Sequence, residues 1–224
     1  MENIIFEDRR DAGRCLAKAI AKCGYLNQPP VVLGIPRGGI VVADEVAEAL
    51  SSLMDVIIVR KLRAPSQPEL GIGAVVDGDN ISIINKELVS VLGVSHDYLN
   101  NEIAYQCKEI ERRLQVYRGS RPAPEVANKT VIVVDDGIAT GYTFRAALES
   151  LRRRGASRLI AAAPVAARSS VDMLGEFADE MIFLSTPVSF FSVGTWYRDF
   201  EQVTDEEAVT ILQRNWTRFK PRKP

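Results

Sequence analysis

Residues 131–143 read VIVVDDGIATGYT, and the fold is decided here. Val131 to Val134 are four consecutive apolar residues, the pattern of a strand buried on both faces. Two carboxylates follow, Asp135 and Asp136. A short loop, Gly137-Ile138-Ala139-Thr140-Gly141-Tyr142-Thr143, then runs into the helical pattern FRAALESLRRR. Strand, acidic pair, Gly/Thr turn and helix, in that order, place backbone N–H groups and two hydroxyls at a helix N-terminus. Such a site holds a phosphate dianion without needing a cation. The aspartates fall at the carboxyl end of the strand, where they can accept hydrogen bonds from sugar hydroxyls. The combination suits a sugar phosphate better than a nucleoside triphosphate. The same order is also ordinary α/β turn chemistry, with Asp136 as a helix cap. No Gly-Lys-Ser/Thr follows the glycine turn, so this is not a Walker loop. The nearest candidate for a dinucleotide fingerprint, Gly71-Ile72-Gly73, has Val76 where the third glycine belongs.

Outward from this stretch, apolar runs alternate with helical patterns. Strands are expected at Val31–Ile35, Val56–Val59, Leu159–Ala163 and Met181–Leu184, with helices over about 40–51 and 168–177 between them. Buried strands joined by helices imply a parallel sheet. The expected fold is therefore α/β, an open, mostly parallel twisted sheet flanked by helices. A further helix over 8–23 places Ala12, Leu16, Ala19 and Ile20 on one face, with Asp8 as its cap and Gly24 as its stop. Residues 62–70, LRAPSQPEL, carry two prolines and no period, which predicts a loop. Gly73–Val76 and Ile81–Ile84 alternate around Asp77-Gly78-Asp79-Asn80, a hairpin signal. A long helix over 97–118, a linker GSRPAPEVANK and a final helix over about 205–215 complete the chain. The organisation expected is one domain. Its core is about 1–61 and 129–186, its loop, hairpin and long helix are about 62–118, and its C-terminal segment is about 187–224. Loops beginning at Pro36, Lys61, Asp135 and Pro164 all leave carboxyl ends of strands, where open α/β sheets bind ligands.

The 224 residues carry a formal net charge of −1, which gives no support to a nucleic-acid role. Arg152-Arg153-Arg154 reads as the solvated last turn of a helix, and Lys220-Pro221-Arg222-Lys223 as a frayed terminus. Cys15, Cys23 and Cys107 have no CxxC spacing, and with a single His96 there is no metal-ligand cluster. The start of the chain has no apolar signal core, and no apolar run reaches transmembrane length. A soluble cytoplasmic protein with reduced cysteines is expected.

On VIVVDDGIATGYT the sequence resembles the type I phosphoribosyltransferases, whose phosphoribosyl pyrophosphate (PRPP) motif is four apolar residues, two acids, a Thr-Gly and a terminal Thr. VVLGIPRGGIVVADEVAEAL resembles the family's strand, pyrophosphate loop and helix, DVIIVRKL its strand with a basic pair, and LGIGAVVDGDNISIIN its flexible loop and hairpin. The resemblance implies transfer of a 5-phosphoribosyl group from PRPP to a nitrogen acceptor, with Mg²⁺ and release of pyrophosphate. By resemblance, Asp135 and Asp136 bind the ribose hydroxyls and meet Mg²⁺ only indirectly, mainly through PRPP. Gly137, Ile138, Ala139, Thr140, Gly141, Tyr142 and Thr143 hold the 5′-phosphate. Pro36, Arg37, Gly38 and Gly39 form the pyrophosphate loop, at a position where the family often uses a cis peptide. Lys61 is a second pyrophosphate ligand, and a homodimer is usual.

One position departs from part of the family. The 6-oxopurine enzymes use an aspartate on the purine N7, and Ala139 stands there. Adenine and orotate enzymes also have a small residue at that point. For the acceptor pocket, Val165 and Ala166 and the aromatic residues Phe190, Phe191, Trp196 and Tyr197 are candidates. Any of these rings could stack on a flat base, but packing the core or a dimer interface is the commoner role for each. An alternative to the enzyme is a non-catalytic PRPP-sensing regulator.

Overall fold

The computed structural model describes residues 5–23, 28–78 and 81–219. Gly24, Asp79, Asn80 and the basic tail Lys220–Lys223 lie outside them. The central sheet has five strands: β1 (Val31–Gly34), β2 (Met54–Val56), β6 (Thr130–Val134), β7 (Arg158–Val165) and β8 (Glu180–Ser185). Their order is β2-β1-β6-β7-β8, and every pairing is parallel. A second, antiparallel sheet is built from β3 (Val59–Ala64), β4 (Gln67–Val76) and β5 (Ile81–Ile84).

Seven α-helices surround the sheets among the described residues. They are α1 (Arg9–Lys22), α2 (Gly38–Ala49), α3 (Lys86–Val91), α4 (His96–Arg118), α5 (Tyr142–Arg153), α6 (Arg168–Leu174) and α7 (Asp205–Arg218). Successive strand residues point to opposite faces. Val32, Ile132 and Ile160 therefore pack with Leu16 of α1, Val42 of α2 and Ile211 of α7. Val31, Leu33, Val131 and Val133 pack on the other face with Phe144, Leu148 and Leu151 of α5. Covering both faces explains why the strands read as unbroken apolar runs. The open α/β expectation is met. Among the described residues no helix is long and apolar enough to cross a membrane.

Several expectations need correction. The strand expected at Val56–Val59 is broken: β2 ends at Val56, and Val59 begins β3 in the other sheet. The stretch 62–70 is not a loop, because β3 runs to Ala64 and β4 starts at Gln67, leaving Pro65 and Ser66 as a tight turn. A register shift between Leu62 and Ala64 breaks the period of two, which hid the strand. Lys61 thus sits inside β3 rather than on a loop leaving the parallel sheet. Pro164 lies within β7, so the loop begins after Val165. Helix α3, capped by Asn85 accepting from the Leu88 amide, was not expected. The Asp8 cap on α1 is present, accepting from the Asp11 amide at 2.7 Å.

The two sheets are joined by a buried ionic cluster. Arg118, at the end of α4, donates to Asp55 Oδ1 at 2.7 Å and to Asp77 Oδ2 at 2.9 Å, and the three side chains are 7%, 1% and 1% exposed. Its Nη2 also donates to the Val56 carbonyl. Asp77 accepts in turn from the Ile58 amide.

Candidate active site

In the sheet order, β1 lies between β2 and β6, so strand order reverses between β1 and β6. The loop after β1 enters α2 on one face, and the loop after β6 enters α5 on the other. Loops that part in this way open a crevice at the carboxyl ends of the strands. Two sequence-predicted groups, residues 36–39 and 135–143, meet there. Their closeness is set by Gly38, where a Cβ would lie 1.8 Å from Asp136 Oδ2. Only a residue without a side chain lets the two loops approach so closely. The Pro36–Arg37 peptide bond is cis.

The loop after β6 is held by its backbone at one end and by α6 at the other. The Ile138 amide donates to the Val165 carbonyl at 2.9 Å, and the Ala167 amide donates to the Ile138 carbonyl at 2.8 Å. Ser170 of α6, fully buried, donates from its hydroxyl to the Ala139 carbonyl at 2.6 Å. Gly141 has φ +73° at the N-cap of α5, a left-handed conformation that favours glycine. No side chain caps α5, and Asp136 is not its cap. Between these fixed points the amides of residues 139–143 donate to no protein acceptor among the described residues. Consecutive outward amides at a helix N-terminus form an anion cradle. Tyr142 and Thr143, like Ala139 and Thr140, are exposed on its rim. At the start of α2 the amides of Gly38 and Gly39 likewise have no protein acceptor among the described residues, and Arg37 has no side-chain cap bond there.

The acidic pair is asymmetric. Asp135 accepts from the Asp136 amide at 2.8 Å. Burial, and then the neighbouring Asp136 carboxylate, push the Asp135 carboxyl well above the usual carboxylate range. Asp136 Oδ2 accepts from Arg9 Nε at 2.7 Å. The Tyr197 hydroxyl donates to the Asp136 carbonyl, and burial holds this phenol above its ordinary range. Arg37 is partly exposed and lies 4.0 Å from Asp205, which also accepts from the Tyr117 hydroxyl. Burial and that hydrogen bond push Tyr117 up to about 12.

Other candidates are placed differently. Lys61 is exposed on β3, with its stem passing Gly71. Val165 and Ala166 are fully buried. Trp196 is buried and stacks on Phe190 with centroids 6.4 Å apart, whereas Phe191 is 95% exposed. The sequence reading missed Arg9 and Ser170. Neither belongs to a motif, and both reach the site from distant helices. Among the described residues no three His, Cys, Asp or Glu side chains are grouped to cage a metal.

The model of the phosphoribosyl transferase domain family matches residues 6–194, and the chain belongs to that family. A Mycobacterium tuberculosis protein with the provisional name phosphoribosyl transferase is 39% identical over 210 residues, covering 94% of this chain and 47% of that protein. The chain spans about half the length of the curated relatives it matches. The crystal structure of the protein TT1426 from Thermus thermophilus is similar, at 41% identity and a TM-score of 0.82, over 94% of this chain and 98% of that one. A hypothetical protein from Neisseria gonorrhoeae, solved with bound ppGpp, shares the fold at 12% identity and a TM-score of 0.50, over 96% of this chain and 98% of that one.

Proposed function

We propose that the chain transfers the 5-phosphoribosyl group of PRPP to a small nitrogen base and releases pyrophosphate. The observation that carries this reading is the row of free amides at 139–143 directly after two carboxylates. An anion cradle beside acceptors for hydroxyls matches a phosphorylated sugar. In the reaction the bond from ribose C1 to the pyrophosphate oxygen breaks as a bond to the acceptor nitrogen forms. Positive charge develops on the ring and negative charge on the leaving group.

Each element has a part in this reading. The amides of residues 139–143, with the Thr140 and Thr143 hydroxyls, bind the 5′-phosphate, while the Ile138 amide is spent on the Val165 carbonyl. Asp135 and Asp136 accept from the ribose hydroxyls. Arg37 and the amides of Gly38 and Gly39 receive the pyrophosphate oxygens, and Lys61 is their second cation. The donor set suits Mg²⁺ carried on the substrate, because two hard carboxylates are present and no all-protein cage is found among the described residues. When bound, Mg²⁺ supplies charge neutralisation of the leaving pyrophosphate. The acceptor is assigned to the side of Val165, Ala166 and the segment bearing Phe190, Phe191 and Trp196. With Ala139 in the loop, no carboxylate there serves a purine N7.

The test is pyrophosphate release from PRPP and Mg²⁺ against a panel of purine and pyrimidine bases. Release dependent on one base supports the reading and names the acceptor. Absence of PRPP binding overturns it. A narrower prediction concerns the loop. Gly141→Val puts a β-branched side chain at positive φ and a Cβ 2.5 Å from Met173 Cε. Strain of about 1–2 kcal/mol is expected, and PRPP binding should weaken roughly 5- to 30-fold in calorimetric titration. An unaltered dissociation constant would remove the loop from the phosphate site.

A further inference from the structure

The first residue of α1 stands inside the crevice, although no motif includes it. Arg9 Nε donates to Asp136 Oδ2 at 2.7 Å, with the two side chains only 11% and 15% exposed. Its Nη1 donates to the Glu201 carbonyl at 2.7 Å, and its guanidinium carbon lies 3.8 Å from the centre of the Phe200 ring. Gly38 closes the remaining side, where a Cβ would come within 2.8 Å of Arg9 Nε. The guanidinium is therefore wedged between the loop after β1 and the loop after β6.

Both ends of the described chain are arranged to hold it there. The Phe6 amide donates to the Trp196 carbonyl, and the Arg198 amide donates to the Phe6 carbonyl, each at 2.9 Å. This pairing delivers α1 with its first residue at the acidic pair, and Phe200 and Glu201 follow directly to grip the side chain. A solvated surface arginine has no need of a ring face, a carbonyl and a carboxylate together. Among the described residues, Arg9 is the one basic side chain ion-paired with either aspartate of the pair. With Oδ2 engaged, Asp136 Oδ1 is the oxygen left to a ligand.

We propose that Arg9 is a positioning residue of the PRPP site. It locks the Asp136 carboxylate in one rotamer, balances its charge beside Asp135, and leaves one oxygen facing the ribose hydroxyls. This inference rests on the reading of Asp136 as a ribose ligand. It differs from a purely structural ion pair in acting through one atom of one residue.

The test is a double-mutant cycle read by calorimetric titration of PRPP with Mg²⁺ into the full chain. Wild type, R9Q, D136N and R9Q/D136N are compared, with R9K as the conservative variant. Expected is a weakening of about tenfold for R9Q, part of it restored in R9K. On the D136N background R9Q should then change binding by less than about twofold. Independent, multiplying effects of R9Q and D136N would overturn the inference, as would wild-type affinity in R9Q or no recovery in R9K. Should R9Q fail to fold, R9K and the F200L variant, which loosens the same guanidinium without removing it, carry the cycle with D136N. Failure of the wild type to bind PRPP would sink the underlying function, and this inference with it. Binding by wild type with an unaffected R9Q would sink this inference alone.

Discussion

Asp136→Asn is expected to weaken PRPP binding between about 2- and 30-fold while the fold survives. The substitution keeps the shape of the side chain, so the close approach of Gly38 is retained. What it removes is the charge. A hydroxyl donating to a carboxylate contributes about 1.5–3 kcal/mol, against roughly 1 kcal/mol for a neutral acceptor. Arg9 loses its ionic partner but keeps the Glu201 carbonyl and the Phe200 ring. The pair is partly reached by solvent, so the stability cost should be limited to about 1–2 kcal/mol. That corresponds to a fall in Tm of about 2–8 °C for a chain of this size. Thermal unfolding and PRPP titration of the same preparation separate the two effects. Unchanged affinity would remove Asp136 from the site. A large fall in Tm with unchanged affinity would make it a structural residue.

Which features were legible in the sequence follows from how locally each is encoded. Strands β1, β6 and β7 were plain because burial on both faces demands unbroken apolar runs. The proposed phosphate loop was plain because its chemistry lies in consecutive residues. The Pro65–Ser66 hairpin was hidden, since a register shift and two prolines erase the alternation by which strands are read. Arg9 was invisible for another reason: 127 residues separate it from Asp136, and nothing near Arg9 distinguishes it from a first-turn surface arginine. Aromatic composition could not sort the rings around 190–197. The structure buries Trp196 and Tyr197 and leaves Phe191 in solvent, a distinction set by tertiary packing alone. Tyr197, read as a stacking candidate, uses its hydroxyl on the Asp136 carbonyl.

Arg118→Ala should have the largest effect on stability. Arg118 is bound by two aspartates and a carbonyl, and water scarcely reaches it or its partners. Removing one member of a buried ionic group leaves uncompensated charge, at a cost of about 3–5 kcal/mol. A Tm lower by about 6–20 °C follows. The deficit should also depend on pH. Burial raises the Asp55 carboxyl above its ordinary value, and Arg118 opposes that rise. A carboxyl raised in the folded state favours folding below its ordinary pKa, and that contribution is lost as pH rises through the folded value. Without Arg118 the rise is larger and the loss extends to higher pH. The variant should therefore be weakest relative to wild type near neutrality, and the gap should narrow as pH falls towards the ordinary carboxylate range. A gap that widens on acidification would contradict this account. The consequence reaches the proposed pyrophosphate ligand Lys61, because Asp55 belongs to β2 of the parallel sheet and Asp77 follows β4 of the antiparallel one. Arg118 is the clamp between them, and β3, which carries Lys61, is paired along β4. Hydrogen exchange in residues 59–76 should accelerate in Arg118→Ala more than exchange in β6 and β7. Uniform acceleration across both sheets would mean the cluster stabilises the whole fold without governing how the two sheets are held together.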